Sequence, residues 1–302
     1  MTNRAIPLYS DETVEDLMRQ GLRVIQKMDG FRFGEDAILL AHFAHKAWDT
    51  SRRGPCSFVE FGSHCGIVSI LFAALSGGSK GIGLEISVRQ VELMERNIKL
   101  NALENRLLAL QCDVSTLAKR NSSYPELLQF GSYNLVIANP PYGSLDHLRQ
   151  GHEVEDAVEM ERMLARYELA LDFDEMAMAA SRLLRSKGQF IFIHRTERLP
   201  EIFESLKRAQ LTPAKMKIIA PREERESHLV LLTATKQAKP RGFRIEPLLL
   251  VRDANGDYTK AMQAMYGDEE ALSEELLYQG LYEAGKADLL LEPDFPSWPK
   301  IR

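Results

Sequence analysis

Short apolar runs and longer amphipathic stretches alternate along most of this chain. Ser57–Phe61, Gly81–Ile86, Leu107–Cys112, Asn134–Ala138, Gln189–His194, Lys215–Ala220 and His228–Thr235 are rich in Val, Ile, Leu and Phe. They are too short for helices and read as buried strands. Between them, Val88–Leu100 and Asp172–Arg185 carry the three-to-four-residue spacing of helices. Residues 29–48 read as a turn leading into another helix. Gly30 and Gly34 punctuate it, Glu35 and Asp36 suit its positive end, and Ile38, Leu39, Phe43 and Ala47 form its apolar stripe. Strand and helix in repeated alternation predict an α/β fold, with a doubly wound and mostly parallel sheet. Only Pro221–Ser227 separate the last two runs, too few for a crossover helix, so these should pair antiparallel and close a seven-stranded sheet with a hairpin. Thr13–Met28 reads as a helix or a helix plus a strand, Gly242–Tyr266 as ordered but irregular, and Asp268–Leu281 as an acidic helix. The resulting division is an N-terminal helical segment (1–50), a central domain (51–240) and a C-terminal extension (241–302).

Composition narrows the setting. With 45% apolar and 27% charged residues the chain can bury a large core without disulfides or a structural metal. Three cysteines, Cys56, Cys65 and Cys112, form no CxxC pair, which fits free thiols in a reducing compartment. The opening residues lack a secretory apolar core, and the longest greasy run, Ile67–Leu75, is too short to span a bilayer. A cytoplasmic protein with no membrane partner is expected. The net charge of −5 argues against a generally sticky nucleic-acid binder, yet ten Lys/Arg against three Glu fall between Ser205 and Ile245. That stretch is either a phosphate-facing surface or a solvated one.

Candidate chemistry sits where strands end. In an open α/β sheet, ligands bind beyond the carboxyl ends of the strands. In FVEFGSHCG, Glu60 closes a strand, and Gly62 and Gly66 bracket a turn into the next helix, where backbone can approach a ligand and a carboxylate is favoured. Glu85 ends the next strand and can accept both hydroxyls of a ribose. Asp113 ends the third and can accept from an adenine amino group. Together they point to an adenosyl cofactor. The fourth strand ends LVIANPPYG. Two prolines stop the strand and bias Asn139 to an extended backbone. The Asn139 side chain and the Pro140 carbonyl then offer two acceptors on a stiff loop, with Tyr142 as an aromatic plate. Two acceptors can hold both hydrogens of a planar NH2 group and turn its lone pair toward a sulfonium methyl.

Asn139-Pro140-Pro141-Tyr142 after a glycine-rich turn resembles the amino methyltransferases that act on adenine N6, guanine N2 or glutamine N5. The segments GLRVIQKMDGFRFGEDAILLAHFA (21–44), ASRLLRSKGQFIFIHRTERLPEIF (180–203) and FRIEPLLLVRDANGDYTKAMQAMYG (243–267) are similar to the bacterial tRNA1(Val) adenine-37 N6-methyltransferase family. The resemblance covers most of residues 10–267. It implies a Rossmann-like class I methyltransferase fold, S-adenosyl-L-methionine as cofactor, tRNA rather than DNA as partner, and methylation of an anticodon-loop adenine. It places Glu60, Gly62 and Gly66 along the methionine part of the cofactor, Glu85 on the ribose and Asp113 on the adenine. Asn139, Pro140 and Tyr142 would hold the base, and Phe31, Arg32 and Phe33 would lie over the cofactor pocket. The family's turn usually reads acid-x-Gly-x-Gly-x-Gly, and here His64 takes the middle glycine. Ser144–Leu164 is also long and charged compared with the family pattern. Two alternatives stand beside this reading: a glutamine-N5 protein methyltransferase, or a non-catalytic relative because of His64.

Other residues carry less. His42 and His45 have no acid at ligand spacing, so no metal is expected. His194 and Arg195 close the fifth strand as a cap or as a wall of the cleft. Cys65 beside His64 has poor geometry for a nucleophile pair, and Met160 and Met163 are at packing spacing.

Overall fold

The computed structural model describes residues 6–17, 21–28, 34–49, 53–119, 124–140, 172–239 and 242–267. The chain opens with two antiparallel strands, β1 (Glu12–Asp16) and β2 (Arg23–Lys27), where the sequence suggested a helix or a helix plus a strand over Thr13–Met28. ETVED offers a β-branched pair, Thr13 and Val14, but no alternation of polar and apolar residues, and this short ribbon is stabilised by packing on the main body rather than by its own pattern. Helix α1 (Glu35–Trp48) follows, with Glu35 and Asp36 in its first turn as expected.

The main sheet then alternates with helices. Its strands and helices run β3 (Ser57–Phe61), α2 (Ile67–Leu75), β4 (Lys80–Glu85), α3 (Val88–Leu100), β5 (Leu107–Gln111), α4 (Val114–Ala118) and β6 (Tyr133–Ala138). They continue with α5 (Phe173–Leu183), β7 (Leu184–Arg195), α6 (Leu199–Arg208), β8 (Leu211–Ala220), β9 (Leu229–Lys236), β10 (Arg244–Leu250) and α7 (Lys260–Tyr266). The sheet order is β10-β8-β9-β7-β6-β3-β4-β5. Strands β3 to β7 are parallel to one another, and β9 runs antiparallel between β7 and β8. The expected hairpin is therefore present. The sheet has eight strands, not seven, because β10 of the supposedly irregular stretch joins β8 in parallel. Its sequence, RIEPLLL, hides this: Pro247 and a mostly exposed pattern suit an edge strand, where no two-sided burial enforces alternation.

Alternate side chains feed two cores. Phe58, Leu135, Ile137, Ile191 and Ile193 face the layer that contains α1, α2 and α3. Val59, Val136, Ala138, Phe190 and Phe192 face the layer of α4, α5 and α6. Residues of β2, β10 and α7 (Val24, Ile25, Leu249, Met262) belong to the first of these cores. Among the described residues no helix is long and apolar enough to cross a membrane.

Candidate active site

The topology selects one place for ligand chemistry. From β3 the chain moves to β4 on one side and later returns to β6 on the other, so the order reverses at β3. A crevice opens beyond the carboxyl ends of strands at such a reversal. Register fixes what lines it: Phe61 pairs with Leu84 and with Ala138, and Glu85 pairs with Gln111. Asn139, the Gly62–Gly66 turn, Glu85 and Asp113 thus follow one another along a single sheet edge. At about 4.8 Å per strand the row spans roughly 14 Å.

The turn after β3 is built from left-handed residues. Gly62, His64 and Gly66 have φ of 62°, 48° and 88°. Gly66 is needed twice, since a Cβ there would also lie 2.7 Å from Met94 Cγ. His64 adopts the conformation that a glycine would take more easily, and its backbone N–H is held by Glu85 Oε2 at 2.9 Å. Desolvation of the half-buried imidazole pushes its pKa down to about 4, so the ring is neutral near pH 7. Ser63 is buried, and its Oγ has no hydrogen-bond partner among the described residues.

The three acids differ in placement. Glu60 is buried, with its carboxyl turned inward to the start of α2. Oε2 accepts from Ser69 N–H at 2.8 Å and from Ser69 Oγ–H. Burial pushes its pKa up to about 8, against the Ser69 hydrogen bonds, which favour the ionised form, and with nearby Glu85 adding to the rise. Glu85 is also buried. Its Oε1 accepts from Ser87 N–H at 3.0 Å, so one carboxylate ties the glycine turn to the start of α3. Asp113 is exposed and caps α4 through Oδ1 and Ser115 N–H at 2.9 Å, which leaves Oδ2 at the surface. The inward placement of Glu60 has a testable cost. The folded state keeps a proton that the unfolded chain releases near pH 4.5, so stability falls as pH rises from 4.5 toward 8. Glu60→Gln removes that dependence. The melting temperature of this variant is expected to gain several degrees on wild type between about pH 5 and about pH 9. A constant difference across that range would show that Glu60 is ionised throughout.

Asn139 and Pro140 emerge half-buried from β6. Asn139 Nδ2 donates to Asp36 Oδ2 at 3.1 Å, a contact that sequence reading missed because Asp36 looked only like a helix-start acid. Tyr142 and Phe33, with Phe31 and Arg32, lie outside the described residues. His194 resolves as a cap: it is buried, its Nδ1 accepts from Arg195 N–H at 2.8 Å, and its ring meets Phe173 edge-on. Burial, aided by Arg198 and Arg195, lowers its pKa to about 4. Cys56, Cys65 and Cys112 are free and buried, and desolvation raises their pKa values to about 12, 12 and 11, so the thiols are inert. A cavity of about 370 Å³ lies between the N-terminal ribbon and α3 and is lined by charges of both signs including Asp11, Lys27, Arg89 and Glu92.

Residues 34–140 match a family model described as lysine methyltransferase, which spans α1 to the end of β6. The chain is 22% identical over 216 residues to the tRNA1(Val) (adenine(37)-N6)-methyltransferase of Flavobacterium psychrophilum, covering 71% of this chain and 83% of that protein.

The chain is a methyltransferase.

It is similar to tRNA1(Val) (adenine(37)-N6)-methyltransferases, and over a shorter stretch to a release factor glutamine methyltransferase. Over 149 residues it is 27% identical to the release factor glutamine methyltransferase of Nitratidesulfovibrio vulgaris, covering 49% of this chain and 47% of that one. In three dimensions it is similar to a protein described as a predicted O-methyltransferase from Agrobacterium tumefaciens. The TM-score is 0.56 at 21% identity, with 76% of this chain and 95% of that one covered. That likeness is one of fold alone, and it agrees with a Rossmann-like architecture for the methyltransferase. The family-model match ends at Pro140, so it covers the glycine turn and the three acids rather than the elements beyond β6.

Proposed function

We propose that this methyltransferase uses S-adenosyl-L-methionine to methylate N6 of an adenine in a tRNA anticodon loop. One observation carries the reading: the acceptor pair Asn139 and Pro140 stands one strand from the Gly62–Gly66 turn, at the reversal point of the sheet. The residues present suit the cofactor. Asp113 Oδ2 is open for an adenine amino group, and Glu85 keeps lone pairs for a ribose hydroxyl beside its two backbone donors. Gly62 faces open space, and Ser63 Oγ is an unpaired polar group within the turn that would hold the methionine part. Glu60 serves this turn from within, by fixing the start of α2. When bound, the cofactor supplies a methyl group activated by its sulfonium.

The chain's own residues then hold the acceptor. Asn139 Oδ1 and the Pro140 carbonyl would accept hydrogen bonds from the two N6 hydrogens and so orient the amine with its lone pair toward the cofactor side, the one proton that N6 sheds on methylation leaving to water. Tyr142 stacks on the base, a contact worth about 1–3 kcal/mol, comparable to the few kcal/mol that unstacking costs. RNA is received on the far side of Asn139. Strand β8 runs parallel to β6 and β7, so the exposed turn after it, with Arg222 and Arg225, opens at the same edge as Asn139. Within the basic stretch, Arg208 pairs with Asp174 and Lys217 with Glu246, and the turn carries Glu223, Glu224 and Glu226 beside its two arginines, so a phosphate contact there rests on the individual guanidinium groups and not on net positive charge.

The glutamine-N5 alternative keeps a specific basis, because a carboxamide NH2 suits the same two acceptors and a release factor enzyme is among the relatives. Labelled-methyl transfer decides between them, with tRNA from a strain lacking the gene and a release factor as competing acceptors. Label is expected in N6-methyladenosine, and Arg222→Ala with Arg225→Ala should raise KM for tRNA about threefold to tenfold at unchanged kcat, with a shallower salt dependence. Label only in protein would refute the RNA assignment. A protein that binds no cofactor at millimolar concentration in calorimetry would return His64 to the centre, as the mark of a non-catalytic relative.

A further inference from the structure

We infer that Asp36 is a positioning residue which fixes the orientation of the Asn139 carboxamide, so that Oδ1 rather than Nδ2 meets the target nitrogen. This rests on the amine-holding role given to Asn139 above. The two residues are 103 positions apart and meet through Asn139 Nδ2 and Asp36 Oδ2 at 3.1 Å. A carboxylate only accepts hydrogen bonds, so the end of the carboxamide that faces it has to be the NH2. Oδ1 is thereby turned the other way. A half-turn of the amide would set oxygen against oxygen in a half-buried site, exchanging a charge-assisted hydrogen bond for a repulsion.

Asp36 is itself held in place. Its Oδ1 accepts from Ala37 N–H at 3.0 Å, and its charge sits at the positive end of α1. Gly34 leaves the space that this carboxylate fills, since a Cβ there would stand 2.8 Å from Asp36 Oδ1. The neighbouring Glu35 accepts from Tyr258 Oη at 2.7 Å and Arg252 Nη2 at 3.2 Å, which pins the same helical turn from the C-terminal side. The acceptor is thus aimed before a substrate arrives, and an amide aimed in advance loses no reorganisation energy during transfer.

The test compares wild type with Asn139→Ala, Asp36→Ala, Asp36→Asn, Asn139→Asp and the double exchange D36N/N139D. Each is assayed for kcat and KM with tRNA from a strain lacking the gene, for cofactor affinity and for melting temperature. Asp36→Ala is expected to lower kcat about 10- to 100-fold, the usual loss for a residue acting through another, with KM and cofactor affinity within about threefold. Asp36→Asn retains an acceptor and should lose less. Asn139→Asp sets two carboxylates against each other and should be nearly inactive. The double exchange moves the donor to position 36 and the acceptor to 139, and should recover at least about tenfold over Asn139→Asp. A merely structural role for Asp36 predicts no such recovery. Asn139→Ala inactive, with no recovery in the double exchange or with Asp36→Ala at wild-type kcat, overturns this inference alone. Asn139→Ala at wild-type kcat overturns both it and the reading of the site. Should Asp36→Ala fail to fold, the double exchange decides.

Discussion

Asn139→Ala is expected to lower kcat by about 10²–10³ or more while leaving cofactor affinity unchanged, because it removes a preorganised acceptor that acts on the transferring nitrogen. The asymmetry follows from the sheet. Asn139 stands at the end of β6, on one side of the glycine turn, whereas Glu85 and Asp113 stand on the other, at β4 and β5. A truncation at 139 therefore reaches the acceptor half of the edge and not the nucleoside half. It also takes away one hydrogen bond to Asp36 Oδ2, while the one from Ala37 N–H to Asp36 Oδ1 is untouched. Single-turnover transfer with labelled cofactor, paired with calorimetry, separates the two halves. Equal loss of cofactor binding and of rate would mean that Asn139 supports the whole turn and not the substrate amine.

Arg96→Ala should be the most damaging single change to stability. Arg96 donates through Nη1 to Glu12 Oε2 at 2.7 Å and through Nη2 to Glu12 Oε1 at 2.6 Å, and Nη1 also reaches the Pro7 carbonyl at 2.9 Å. Its guanidinium lies over the Tyr9 ring, 4.6 Å from the centroid. The pair is almost wholly enclosed and joins the N-terminal ribbon to α3. Removing one partner strands a buried carboxylate, at a cost of about 3–5 kcal/mol, which corresponds to a fall of roughly 10 °C in Tm. Lys27, 3.6 Å from Glu12, offsets a part of that. The Arg96 hydrogen bond holds the Glu12 pKa down to about 2, below its ordinary 4.5, so the pair's contribution is full above pH 4.5 and is lost as pH falls toward 2. Arg96→Ala should erase that acid-limb loss as well as lower Tm at pH 7. The double change Glu12→Gln with Arg96→Met should recover much of the stability, since no charge is then left unpaired. A single variant that melts with wild type would show the ribbon to be dispensable to the body.

The sequence made the centre of this fold legible and its margins less so. Strands β3, β4, β6, β7 and β9 are largely buried on both faces, so their apolar runs were visible without any partner in view, and the edge strand β5 was legible from its LLAL run. β1, β2 and β10 lie where burial is one-sided or partial, and there neither ETVED nor RIEPLLL carries a period strong enough to name a strand. At the site, strand order and register bring together Gly62, Gly66, Glu85, Asp113, Asn139 and Pro140. Which way a side chain then turns is a different matter. Glu60 and Asp113 both look like strand-ending acids, yet one turns inward to Ser69 and the other outward to solvent. The Asp36–Asn139 contact depends on the angle at which α1 crosses the sheet edge, a tertiary quantity that no local spacing encodes.

Strand β8 has consequences for how the chain reaches this state. Both of its sheet neighbours, β9 and β10, are made after it. As the polypeptide leaves the ribosome, residues 211–220 emerge beside a β7 edge that they never join directly, and they wait unpaired until residues 229–236 slot in between. During that interval an apolar segment and an open β7 edge are both available for wrong pairing. The short turn 221–227 keeps the interval brief, because β9 follows within a few residues of its partner. Lengthening that turn would leave the finished sheet almost unaltered and make its birth more hazardous, with soluble yield at biosynthesis falling well before the melting temperature of the folded molecule does.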